Sequence, residues 1–250
     1  MQAHNKPMYS TSGSFETRGA VSAGNDRSSP SEIKLIFGEH LSTALHDLLS
    51  LARRTCHGPN EVLYHEGSVS NTVYLITSGF LKLIIHLPNG RARIVRLHRP
   101  GAVLCLSGLF DRNNKHTAVA VIPVTTLCLP VSAVQRLRTE DPLTYASLLE
   151  RWHNYLNDAD TWITQFSTGP IRARVARLLS FLSELEPDAE NGELHLLTCE
   201  EMGSILGVTS ESVSRVLAEF KRRDILAHHD GAANNLYEAD MGRLRHIADE

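Results

Sequence analysis

The chain has 250 residues, 42% of them hydrophobic, and a formal net charge of −3. That length suits two ordinary domains or one large one, and the weak charge means that any basic patch for a polyanion must be local. No run of about 18 apolar residues occurs, so no membrane-spanning helix is expected. Four scattered cysteines (Cys56, Cys105, Cys128, Cys199) without a C-x-x-C pair point to reduced thiols in a cytoplasm.

Residues 1–33 are rich in Ser, Gly and Asn and lack the apolar centre of a secretory signal, so a disordered tail is expected. From about 34 to 130 apolar and polar residues alternate, with punctuation at Ser78-Gly79, Asn89-Gly90 and Pro100-Gly101. Asn-Gly between two alternating runs signals a hairpin, because both residues tolerate positive φ. Short strands at this spacing predict a small antiparallel barrel or sandwich.

A helical segment follows over 131–167, with a break expected at Asp141-Pro142. Counting 3, 4, 3, 4 from Tyr145 gives Leu148, Trp152, Tyr155, Ala159, Trp162 and Phe166, all apolar or aromatic, the seam of a two-stranded coiled coil. A second stripe of Leu149, Leu156 and Ile163 runs beside it. One stripe can face a twin helix while the other packs on the strands; the alternative is a single wide core-facing stripe. Both tryptophans lie on the first, which is therefore assigned to a homodimer.

Thr168, Gly169 and Pro170 mark a hinge and open the last region, 168–250. Here "TCEEMGSILGVTSESVSRVL" fits a helix-turn-helix. Met202 and Leu206 are apolar on the first helix, and small Gly203 admits the second. Gly207 turns, Val208 plugs the junction, and Val213 and Val216 bury the second helix. Thr209 is placed to cap that helix, with Ser212 three residues on. Ser210, Glu211, Ser214 and Arg215 are left outward near its N-terminal end, where a recognition helix meets base edges. Arginine can donate twice to guanine, glutamate can accept from a cytosine amino group, and serine is adaptable. The competing reading is an ordinary helix pair with a Glu211–Arg215 surface ion pair. The alternating run "AHHDGAANNLYEA", turning at Asp230-Gly231, adds a wing.

Residues 169–250 carry nine Lys/Arg against fifteen Asp/Glu, so DNA cannot be held there by bulk attraction. Arg172 and Arg174 in "IRAR", Lys221 and Arg222 in "KRR", and Thr209 are the candidate phosphate contacts. A solvated helix C-terminus explains "KRR" equally well. No G-x-S-x-G, Walker loop, H-E-x-x-H or G-x-G-x-x-G is present, so catalysis has no foothold.

The order of parts, with "VYLITSGFLKL", "LPNGRARIVRLHRPG" and "SGLF", resembles the Crp–Fnr family of bacterial transcription regulators over about residues 34–240. The resemblance implies an α+β chain: an N-terminal antiparallel β-roll of the cyclic-nucleotide-binding type, a long dimerisation helix, and a C-terminal winged helix-turn-helix. It also implies double-stranded DNA and RNA polymerase as partners. Glu211, Ser214 and Arg215 match the Fnr-type recognition helix and imply TTGA…TCAA-like half-sites. In the sensor half Cys105 and Leu106 stand where cyclic-AMP receptors carry Gly-Glu. His116 and Thr117 replace their Arg-Ser, and Ser107 completes the candidate effector pocket. Cyclic AMP is therefore not the expected effector, and without a cysteine cluster before Cys56 neither is an iron–sulfur cluster. Haem on a roll histidine (His57, His65, His86, His98, His116), a redox thiol at Cys56 or Cys105, and an unidentified small molecule all stay open.

Overall fold

The computed structural model describes residues 42–110, 112–185, 192–228 and 235–250, with the side chains of 151, 152 and 154–158 left aside. The tail assigned to 1–33 and the turn at Asp230-Gly231 lie outside the described residues. The first described element is a short helix, α1 (Thr43–Ser50), where strands were expected. Ser42 caps it, its hydroxyl accepting from the Leu45 amide at 3.0 Å.

Eight strands follow: β1 (Arg53–His57), β2 (Val62–Tyr64), β3 (Thr72–Ser78), β4 (Leu81–His86), β5 (Ala92–His98), β6 (Val103–Leu104), β7 (Thr117–Ala120) and β8 (Val124–Pro130). They form two four-stranded antiparallel sheets in the orders β1-β8-β3-β6 and β2-β7-β4-β5. Asn89-Gly90 closes the β4–β5 hairpin as expected, the Leu87 amide bonding to the Arg91 carbonyl at 2.9 Å. Leu63, Ile76, Leu81, Leu83, Leu104 and Ala118 fill the roll. The outer strand of one sheet is β5, whose far edge pairs with no strand among the described residues.

Helix α2 (Val131–Glu140) ends at Asp141, and α3 (Pro142–Ser167) starts at the proline, as the Asp-Pro pair predicts. Asp141 caps α3 by accepting from the Thr144 amide at 3.1 Å, and also accepts from the Ser42 hydroxyl, tying the first helix to the long one.

The coiled-coil assignment needs correction at both ends of the seam. Leu148 is 1% exposed in a cluster with Leu45, Leu48, Val73 and Leu137, and Tyr145 packs beside it. Phe166, also 1% exposed, sits in the C-terminal core with Trp162 against it. These side chains are consumed within the chain, because burying an aromatic or leucine in its own domain core competes with burying it on a twin. Ala159 is half-buried, and the Trp152 and Tyr155 side chains are outside the described residues. Among the described side chains of α3, Ile163 of the second stripe and Leu143 are the large apolar ones that face out, at 58% and 70% exposure.

Beyond the hinge come α4 (Ile171–Glu184), β9 (Glu193–His195), α5 (Cys199–Leu206), α6 (Ser210–Arg222), β10 (Leu226–His228), β11 (Leu236–Ala239) and α7 (Met241–Ala248). The wing is a three-stranded sheet, β10-β11-β9, since β9 joins the expected hairpin. Phe80, Ile94 and Leu97 of the roll share one buried cluster with α4, α5 and α6, so the roll and the C-terminal domain pack together.

Candidate nucleic-acid interface

Thr198 and Glu201 start α5 with a full capping box: the Glu201 amide donates to the Thr198 hydroxyl at 3.2 Å, and the Thr198 amide to the Glu201 carboxylate at 2.9 Å. The T-x-x-E spacing is the sequence signal from which this box could have been found. A Cβ at Gly203 would stand 2.8 Å from the Val208 carbonyl oxygen, so glycine is what lets the turn cross this closely. Gly207 ends α5 in the left-handed region at φ +66°. Thr209 then caps α6, accepting from the Ser212 amide at 3.3 Å.

Helix α6 buries Val213, Val216, Leu217 and Phe220 and leaves Glu211, Ser214 and Arg215 exposed, with Ser210 half-buried at its first turn. The four proposed base-reading residues thus share the open N-terminal end of one helix. The surface ion-pair alternative does not form among the described residues: Arg215 Nε turns to the Glu211 main-chain carbonyl at 3.4 Å and Nη2 to the Ser212 hydroxyl at 3.4 Å. The backbone amide of Glu211 and the Thr209 hydroxyl hold the Glu211 carboxyl below the usual carboxylate range. An ionised acceptor therefore stands near a guanidinium whose hydrogen bonds go to a carbonyl and a hydroxyl; the two groups are chemically able to accept from amino groups and donate to guanine.

The phosphate candidates divide. Arg174 is not available: its guanidinium donates to the Phe166 carbonyl at 2.8 Å and to the Leu206 carbonyl, joining the ends of α3 and α5. Desolvation lowers its pKa, consistent with an inward position. Arg172 is likewise engaged, with Glu219 at 3.1 Å and Glu250 at 2.6 Å. Both assignments as phosphate contacts are therefore withdrawn; "IRAR" is charge spent on structure. Lys221 lies over the Tyr237 ring at 4.5 Å, its Nζ 3.0 Å from the phenol oxygen, and Arg222 is exposed. Both stand at the C-terminal end of α6, Lys221 against the wing strand β11.

Sequence reasoning missed what aims α5. Lys82 on β4, only 7% exposed, meets the Glu201 carboxylate. The Ser204 hydroxyl accepts from the Ile94 amide at 2.9 Å and donates to the Ala92 carbonyl at 3.2 Å, so a helix side chain completes the free edge of β5. These partners are over 100 residues apart and leave no local signal.

In the sensor half, Leu106 opens a 3-10 turn (Leu106–Phe110) and is 3% exposed in the Leu45–Val73 cluster. It fills core and does not line an effector pocket. Thr117 is buried and accepts from the Glu66 amide at 3.0 Å, while Ser107 is half-buried. Cys105 adopts φ +63°, and burial pushes its thiol up to about 12. His116 is half-buried, and burial lowers its pKa. Burial, with Arg96 and His116 alongside, takes His98 down to about 3.

Comparison with known proteins agrees with this geometry. Residues 56–141 match the cyclic nucleotide-binding domain and residues 173–247 the Crp-like helix-turn-helix domain. The transcriptional regulator LdrP of Thermus thermophilus is 25% identical over 190 residues, 75% of this chain and 93% of that protein. The transcriptional activator Anr of Pseudomonas protegens is 24% identical over 188 residues, 74% and 76% of the two chains. Among solved structures, FixK2 of Bradyrhizobium japonicum superposes with a TM-score of 0.67 at 23% identity, covering 78% of this chain and 96% of that one.

Proposed function

Because the chain belongs to the Crp–Fnr family of transcription regulators, a DNA-binding class and not an enzyme, we propose that it acts as a homodimer on a TTGA…TCAA-like inverted repeat. The observation that carries this is the exposed trio Glu211, Ser214 and Arg215 at the open end of α6. Arg215 takes the guanine of each half-site, Glu211 the neighbouring cytosine or adenine amino groups, and Ser214 the adjacent thymine. A two-fold axis sets the two recognition helices about 34 Å apart, in successive major grooves. The dimer forms along α3 through the stripe that contains exposed Ile163, since Leu148 and Phe166 are occupied within the chain.

Lys221 and Arg222 grip phosphate beside the wing. RNA polymerase is the partner on the promoter, and a small molecule other than cyclic AMP sets the orientation of the C-terminal domain. The support for excluding cyclic AMP is Leu106, an apolar core residue where a ribose-binding acid is required. Selection from randomised duplexes tests the reading: an inverted repeat with a guanine in each half is expected, and a non-palindromic consensus overturns it. Titration calorimetry with cyclic AMP tests the effector claim, where micromolar affinity with tightened DNA binding overturns it.

A further inference from the structure

A cavity of about 910 Å³ opens between the β5–β6 connection, the end of α3, and helices α4 and α7. It is separate from Leu106 and from the face of α6. Its size is that of small-molecule sites. Its walls are unusually cationic for a chain of net charge −3: Arg96, Arg99, Arg177 and Arg245 line it against the acids Glu184 and Asp249.

Among the described residues no carboxylate pairs with three of these arginines. Arg177 donates only to main-chain carbonyls, Ala248 at 2.8 Å, Thr168 at 2.9 Å and Gln165 at 3.2 Å, and Arg99 reaches the Glu184 carbonyl at 3.4 Å. Arg99 and Arg245 are exposed, so they are free to turn inward. Carbonyl ligation fixes the direction of a guanidinium without neutralising its charge, which leaves its remaining donors ready for an anion.

Two further features belong to a binding site. The Ser180 Oγ on the cavity wall is buried and has no hydrogen-bond partner among the described residues, a cost the free protein carries and a polar ligand atom would relieve. Beside it, Trp162 and Phe181 meet edge to face with centroids 5.7 Å apart, an apolar wall for a flat ring. We propose that this cavity binds a phosphorylated small molecule carrying a planar ring, with its phosphates on Arg99, Arg177 and Arg245 and its ring against Trp162 and Phe181. Three guanidiniums without a direct carboxylate partner suit a polyphosphate over a singly charged cyclic mononucleotide. Roll, long helix and C-terminal domain each supply contacts, so the bound ligand clamps the three together. This site stands independently of the DNA reading.

ATP serves as the probe, with tripolyphosphate and adenosine for its two halves, in a Trp152→Phe background where Trp162 is the reporting tryptophan. ATP is expected to change the Trp162 emission saturably and raise the melting temperature, tripolyphosphate to bind at least tenfold more weakly, and adenosine not at all. Arg99→Glu with Arg245→Glu, two surface changes checked for folding by circular dichroism, should weaken ATP at least tenfold. No ATP binding at millimolar concentration, adenosine or cyclic AMP binding as well as ATP, or full ATP affinity in the folded double variant each overturns the assignment.

Discussion

Lys82 of the roll and Glu201 of the helix-turn-helix form an ion pair from which water is largely shut out, with side-chain exposures of 9% and 21%. Glu201 holds two posts, since the same carboxylate closes the capping box of α5. Burial alone would raise its pKa, but the Lys82 ammonium and the Thr198 amide and hydroxyl outweigh that and hold it below the ordinary range. The group is therefore ionised when folded, and its contribution is present above the unfolded carboxylate value of about 4.3 and lost as pH falls through the lower folded value.

Removing the ammonium should uncouple the two domains. Lys82→Ala leaves a carboxylate half-buried without its cation, at about 2 kcal/mol, short of the ~3–5 for a fully buried pair. Limited proteolysis at the Thr168–Pro170 hinge should accelerate in Lys82→Ala and be restored in Lys82→Arg. Unchanged cleavage in Lys82→Ala would show that the docking rests on Phe80, Ile94, Leu97 and the Ser204 hydrogen bonds without it.

Stability should also fall between about pH 6.5 and 5. His98 is neutral in the fold, with its pKa at about 3, while the unfolded chain takes up a proton near 6.5. Below about 6.5 the unfolded state binds more protons, so the unfolding free energy drops as pH falls, by up to about 1.4 kcal/mol per unit for this one group. Urea titrations at about pH 7 and pH 5 should give a smaller difference in His98→Gln than in the wild type. An equal difference in both would assign the loss to other groups.

Arg174 and Lys221 should separate cleanly. Arg174→Ala abandons the Phe166 and Leu206 carbonyls and should lower stability by about 1–3 kcal/mol, leaving the salt slope of DNA binding as it was. Lys221→Ala should leave the melting temperature nearly unchanged and flatten that slope by about one per half-site. The reverse pattern would return Arg174 to the phosphate contacts.

The helix-turn-helix was legible because everything that defines it is local: a glycine at the turn, a cap at Thr209, and apolar spacing through Val213 and Val216. Asp141-Pro142 and Asn89-Gly90 were legible for the same reason. The fate of Arg172 and Arg174 was not, since a sequence displays a charge but not the carboxylate or carbonyl that will meet it after folding. The two stripes of α3 have the same period, so sequence could not say which one the domain cores would absorb. Helix α1, the inclusion of β9 in the wing, and the hold of Lys82 and Ser204 on α5 depend on distant partners.

Ile163 provides the test of the dimer. At 58% exposure it can accept a glutamate without disturbing the chain's own core, yet a dimer along that stripe would bury the new charge at a cost of several kcal/mol. Ile163→Glu should sediment as a monomer with unchanged circular dichroism. A persistent dimer would place the interface on another face.

The most direct measurement is base discrimination by Arg215→Ala. Each half-site loses a bidentate guanine contact, so affinity for the selected operator should fall by roughly 1–3 kcal/mol per half-site. Binding to duplexes with the guanine replaced should change little. The account predicts that preference for guanine over adenine at that position collapses in the variant while preferences elsewhere persist. An undiminished guanine preference in folded Arg215→Ala would contradict it.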